Sequence, residues 1–144
     1  MKRLKTTRQY CLEEDDQAYA IYNPNWTEFD IHWRLECRIA AMLGLGFTVK
    51  NEVTLRIGKT STRIDIMVFK NKQPICGVEV KRNENSTNPV QYKRQLSFYQ
   101  EFHKATSIPI YYCRSFGEIK GVAHRIHNYM RDNYRMKSCN GGAE

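Results

Sequence analysis

Asp65, followed by Glu79 and Lys81 in the run Gly-Val-Glu-Val-Lys-Arg, carries the chemistry most legible in this sequence. Both carboxylates and the lysine lie in short apolar runs rich in β-branched residues. Paired carboxylates suit a hard divalent cation, Mg²⁺ or Mn²⁺, which takes oxygen ligands. Such a cation lowers the pKa of a bound water and offsets charge at a phosphoryl centre. Lys81 would hold or polarise the attacking water. An acidic-x-Lys triplet alone is common, and its plain reading is a solvated Glu–Lys pair that contributes little. An upstream Asp in matching strand register is what raises it to a candidate site.

That register follows from a hairpin. Thr62–Lys70 and Pro74–Arg82 each read as a strand, with the polar Asn71-Lys72-Gln73 between them. With Lys70 opposite Pro74, Asp65 falls directly opposite Glu79; a bulge would shift this pairing. Alternation then puts Glu79 and Lys81 on one sheet face, and Val78 and Val80 on the other. Facing carboxylates repel, by up to about 1 kcal/mol. A bound cation would offset that cost.

The remaining elements must hold the hairpin in place. Thr27 to Leu43 predicts a helix, N-capped by Thr27 with Asp30 in the capping-box position and ended at Gly44. Its apolar residues Phe29, Trp33, Ile39 and Met42, with Leu35 between them, recur near helical spacing. Glu36 lies mid-helix. It reads either as a solvent-face partner of Arg34 or Arg38, or as a further carboxylate directed at the cation; the company of Asp65, Glu79 and Lys81 favours the second. Phe47–Ile57 is a strand, and Gly58-Lys59-Thr60-Ser61 turns into the next. Asn88 and Pro89 open a helix that runs to about Ala105 and puts Gln95 and Tyr99 on one face. Ile108–Cys113 is a short strand, and Gly117 to about Arg135 a helix burying Ile119, Val122, Ile126 and Met130. The order α-β-β-β-α-β-α predicts an α/β protein with a central mixed four-stranded sheet flanked by helices. The step from the Glu79 strand to the Ile108 strand is long enough for a parallel crossover.

Asp65 with Glu79-Val80-Lys81, Glu36 upstream, and Gln95 with Tyr99 together resemble the motifs of the PD-(D/E)XK nuclease superfamily. Ile64 stands where that motif has proline. The Gln-x-x-x-Tyr element is similar to that of the RecB-like branch and of the nuclease domain in type I restriction motor subunits. The resemblance covers roughly Thr27 to Cys113 and implies a restriction-endonuclease-like core. It implies a Mg²⁺- or Mn²⁺-dependent hydrolase of DNA that leaves a 5′-phosphate and a 3′-hydroxyl. Asp65, Glu79 and the Val80 carbonyl would then ligate the metal, and Glu36 a second ion or a metal-bound water. Gln95 and Tyr99 would position the backbone or that water. Read without the family, Gln95 and Tyr99 are equally a polar–aromatic pair packed at the sheet edge. A Holliday-junction resolvase or homing endonuclease on the same fold, both small basic dimers, stays open. So does a non-catalytic nucleic-acid-binding module, although a pure binder has no need of Asp65, Glu79 and Lys81. A helicase or other protein partner is compatible with each.

Composition agrees. The chain has 144 residues, enough for one domain with a real core. Residues 27–136 form the expected nuclease domain, 1–26 an extension and 137–144 a flexible tail. Lys and Arg number 23 against 15 Asp and Glu, a net charge of +8 that favours polyanions. Arg82, Lys93 and Arg94 are the basic residues expected to meet nucleic acid. The 5 cysteines and 4 histidines lack metal-ligand spacing. No visible signal peptide and no membrane-length apolar run lead us to expect a reducing cytoplasm.

Overall fold

The computed structural model describes residues 25–44, 46–81 and 89–134. Elements follow as α1 (Glu28–Met42), β1 (Phe47–Ile57), β2 (Thr60–Lys70), β3 (Gln73–Val80), α2 (Pro89–Thr106), β4 (Ile110–Cys113) and α3 (Phe116–Asn133). One sheet runs in the order β1-β2-β3-β4. Its first two pairings are antiparallel and β3 with β4 is parallel. The expected α/β class, element order and mixed sheet are all observed. Asn88 as a cap, the extension before residue 25 and the tail lie outside the described residues.

α1 starts as its sequence dictates, with the Thr27 amide donating to the Asp30 carboxylate at 2.7 Å. It buries Ile31, Leu35 and Ile39, one helical turn apart. Phe29, expected in this stripe, is 73% exposed. It lies two residues, roughly 200° of helical rotation, from Ile31. Arg34, weighed as a solvent-face partner for Glu36, is instead fully buried. α3 buries all four expected residues and adds Phe116 and Ala123.

The β2–β3 hairpin closes on Asn71 and Lys72, both at positive φ, 49° and 72°. A two-residue turn of this kind matches the twist of the strands it joins. Lys70 therefore pairs with Gln73, not with Pro74. The register runs Phe69↔Pro74 and then Val68↔Cys76, so Ile75 is an extra residue on β3. This bulge shifts the strands by one. At Ile66↔Val78 the ladder is back in the register that, continued one step, sets Asp65 opposite Glu79. The tighter turn and the compensating bulge together restore the expected register as far as Ile66↔Val78, the last pair of the ladder.

A second irregularity shapes the other hairpin. Glu52 has a φ of 54° and sits between Asn51↔Ile66 and Val53↔Ile64. Side chains change face at this point. Val49, Ile66 and Val68 pack with α1 and α3, whereas Val53, Ile57 and Ile64 pack with α2. A left-handed residue inside a strand re-aims the chain beyond it. The outer half of the β1–β2 hairpin is thereby delivered to α2, and Asp65 sits at the change-over.

Two apolar layers result. α1 and α3 cover one sheet face with Ile31, Leu35, Ile39, Ile119, Val122 and Ile126 over Ile66, Val68 and Val78. α2 covers the other with Phe98, Tyr99 and Phe102 over Leu55, Ile64 and Met67. Among the described residues no helix is long and apolar enough to cross a membrane.

Candidate active site

β3 delivers Glu79 and Lys81 to the α2 side of the sheet, and the change-over in β2 delivers Asp65 beside them. Glu79 is only 4% exposed. Asp65 Oδ2 accepts the Val80 amide at 2.7 Å, which locks this carboxylate against β3. From α2, the Tyr99 hydroxyl donates to Glu79 Oε2. Lys81 Nζ stands 3.9 Å from Glu79 Oε1. The structure brings Asp65, Glu79 and Lys81 together. It brings Tyr99 in as well.

Burial raises the Glu79 carboxyl from 4.5 to about 8, and the charge of Asp65 and a hydrogen bond with it push the same way. Tyr99 and Lys81 pull it back down in part. The Tyr99 hydroxyl is raised far above its ordinary value by burial and then by Glu79, so it remains a donor. The Glu79 carboxyl therefore keeps its proton at neutral pH. A divalent cation can replace that proton with a stronger neutralising charge, so the pair fits a hard metal ion. The Val80 carbonyl points to the same strand side as its amide and lies past the last β2–β3 pair, Ile66↔Val78. That orientation suits a third oxygen ligand.

Glu36 is not gathered into this group. It stands 3.8 Å from His32 Nε2, and that nitrogen is 3.0 Å from Asn51 Oδ1 on β1. Among the described residues no three His, Cys, Asp or Glu side chains converge to hold a metal. The i,i+4 spacing on α1 places Glu36 with His32 instead. Gln95 lies one turn before Tyr99 on α2 and is half-buried; Tyr99 alone of that pair meets the carboxylates. Lys93 and Arg94 are exposed on α2. They line a cleft of about 560 Å³ with Ile57, Thr60, Val90 and Phe98, on the β1–β2 side of the helix. Arg82 lies outside the described residues.

One layer of the site escaped the sequence. Tyr112 is the β4 partner of Glu79, and its ring meets that of Tyr99 edge-on at 6.1 Å. The Arg114 guanidinium lies 5.6 Å over the Tyr112 ring and donates to the Tyr92 hydroxyl at 3.1 Å. Tyr92 precedes Tyr99 by seven residues, two helical turns, and that spacing was visible. The β3–β4 register was not, because a helical crossover leaves the pairing unspecified.

Comparison with family models, with curated proteins and with solved structures finds no match to this chain.

Proposed function

We propose that this chain is a Mg²⁺- or Mn²⁺-dependent nuclease that hydrolyses DNA phosphodiesters on a restriction-endonuclease-like core. One observation carries the reading. The buried Glu79 carboxyl beside the half-buried Asp65, with Lys81 Nζ 3.9 Å from Glu79, occupies one sheet face at the end of β3. A purely structural role for Glu79 is expensive, since burying a carboxyl beside a second one costs free energy. Asp65, Glu79 and the Val80 carbonyl hold the cation. Once bound, it supplies an activated water and charge neutralisation at the phosphoryl group.

The protein's own groups do the remaining work. Asp65 is fixed by the Val80 amide, so its outer oxygen keeps one direction. Tyr99 orients Glu79 from above. Lys81 holds the attacking water or the charge growing on the phosphate. Lys93 and Arg94 bind the phosphate backbone along α2, and +8 of net charge draws the polyanion in. The family resemblance implies 5′-phosphate and 3′-hydroxyl ends. Cys37, Cys76 and Cys113 are free thiols, which supports a reducing, intracellular setting.

The test is a cleavage panel over single-stranded, duplex, branched and circular DNA, and RNA. Each substrate is run with Mg²⁺, Mn²⁺, Ca²⁺ or EDTA. DNA cleavage with Mg²⁺ or Mn²⁺, little or none with Ca²⁺ and none in EDTA is expected. Full activity in chelator, or a near wild-type rate for Lys81→Ala, would overturn the reading.

A further inference from the structure

We propose that Arg114 and Lys81 form a phosphate subsite beside the carboxylate pair, framed by Tyr92 and Tyr112. It grips a non-bridging oxygen of a nucleic-acid backbone. This rests on the nuclease reading and deepens it, because it names a second cationic contact to the substrate.

The placement follows from the sheet. β3 and β4 run parallel, with Glu79↔Tyr112 and Val80↔Cys113 in register. The Lys81 amide donates to the Cys113 carbonyl at 2.9 Å, so the two strands are still joined where they end. Lys81 and Arg114 are the next step of that register, on strands about 4.8 Å apart. Alternation puts Arg114 on the face of Tyr112, and hence on the face of Glu79 and Asp65. Its contact with Tyr92 from α2 is the direct sign that it lies there. Two cations thus leave adjacent parallel strands at their carboxyl ends, the edge at which α/β sheets receive ligands.

The Arg114 side chain is also held in a fixed direction. The Tyr112 ring lies beneath its guanidinium and the Tyr92 hydroxyl accepts from Nη2. Glu118, the carboxylate nearest in the chain, accepts the Arg114 backbone amide at 2.8 Å. A planar fork held this way meets phosphate oxygens with little further ordering cost. Lys81 is committed in part to Glu79. An incoming phosphodiester therefore needs a second positive group, and Arg114 is placed to be it. The Tyr99–Tyr112 contact links this cation to the residue that orients Glu79.

The experiment measures binding of a fluorescent duplex and a single strand, with Ca²⁺ in place of Mg²⁺, over a range of salt. Wild type, Arg114→Gln, Arg114→Lys and Tyr92→Phe are compared, with thermal melts of each. Arg114→Gln is expected to weaken binding about tenfold, the loss of one charged hydrogen-bonded contact. Its log–log salt slope should flatten by about 0.9 on duplex, equally for two unrelated sequences. Arg114→Lys keeps the charge and should fall between the two. Tyr92→Phe removes only the acceptor, so affinity should drop about twofold to threefold with the slope unchanged. In cleavage with Mg²⁺, KM should rise more than kcat falls. Wild-type affinity, slope and KM in a folded Arg114→Gln would overturn the subsite. If Arg114→Gln fails to fold, wild-type affinity in both Arg114→Lys and Tyr92→Phe would overturn it. Should wild type neither bind nor cut any nucleic acid, the nuclease reading itself falls; cutting with a silent Arg114 removes the subsite alone.

Discussion

The two faces of the sheet are built to different ends. Under α1 and α3, Ile31, Leu35, Ile39, Ile66, Val68, Val78, Ile119, Val122 and Ile126 all have no exposed surface. Under α2 the apolar cluster is smaller, and its centre is shared with Glu79, Asp65 and the Tyr99 hydroxyl. The first face supplies stability through burial and close packing. The second gives up some of that to bury the Glu79 carboxyl beside the half-buried Asp65 and Lys81. Sites commonly sit where stability is spent in this manner. The change-over at Glu52 and Asp65 is where β2 passes from one regime to the other.

Alanine substitutions separate the faces most sharply. Asp65→Ala, Glu79→Ala and Lys81→Ala should each cut DNA cleavage by at least about 10²–10³-fold, the scale of losing one transition-state contact. Circular dichroism and melting should stay near or above wild type. On the other face, Leu35→Ala and Ile66→Ala should lose about 2–5 kcal/mol in urea titrations. Material that remains folded should keep its cleavage rate. A site variant that unfolds the protein would erase the distinction.

pH sharpens the contrast. The folded state holds the Glu79 carboxyl proton more tightly than the unfolded state does, at about 8 against 4.5. That contribution to stability is complete below the unfolded value of 4.5 and is lost as pH rises through about 8. In chelator, wild type should lose on the order of a few kcal/mol of stability across this window. Glu79→Gln should flatten the dependence and melt higher than wild type near the top of it. Parallel melting curves for the two proteins over the window would contradict the assignment of the burial cost to Glu79.

The smallest effect concerns the change-over. Glu52 holds a left-handed backbone at φ 54°, and its ion pair with Arg63 is exposed, at 3.5 Å. Glycine adopts that conformation freely, so Glu52→Gly should gain about 1 kcal/mol in denaturant unfolding. A loss of similar size would mean that the side chain, not the backbone, holds the bend.

Much of this was readable in the residues. The elements and their order followed from apolar period, from Thr27 and Asp30 at the start of α1, and from the polar run Asn71-Lys72-Gln73, although β2 starts at Thr60 rather than Thr62 and β4 at Ile110 rather than Ile108. Asp65, Glu79 and Lys81 could be united because hairpin register is local. Even so, the sequence arithmetic anchored Lys70 on Pro74, and the expected register holds from Val68↔Cys76 to Ile66↔Val78 because Ile75 bulges. A bulge and a positive φ at glutamate leave no composition signal. Glu36 was read toward the carboxylates because a helical position fixes a face but not which sheet face the helix covers; α1 packs on the face opposite Tyr99, with Glu36 beside His32. Arg114 and Tyr112 were out of reach because only the three-dimensional crossover sets β4 beside β3.

We propose the Asp65–Glu79 pair as a cation site. Equilibrium binding of Mn²⁺ to the protein without nucleic acid tests it directly, in wild type and in Glu79→Gln. Wild type should bind the ion, and Glu79→Gln, with its fold intact, should bind it at least about tenfold more weakly. Equal binding by the two proteins, or none by wild type, would contradict the account.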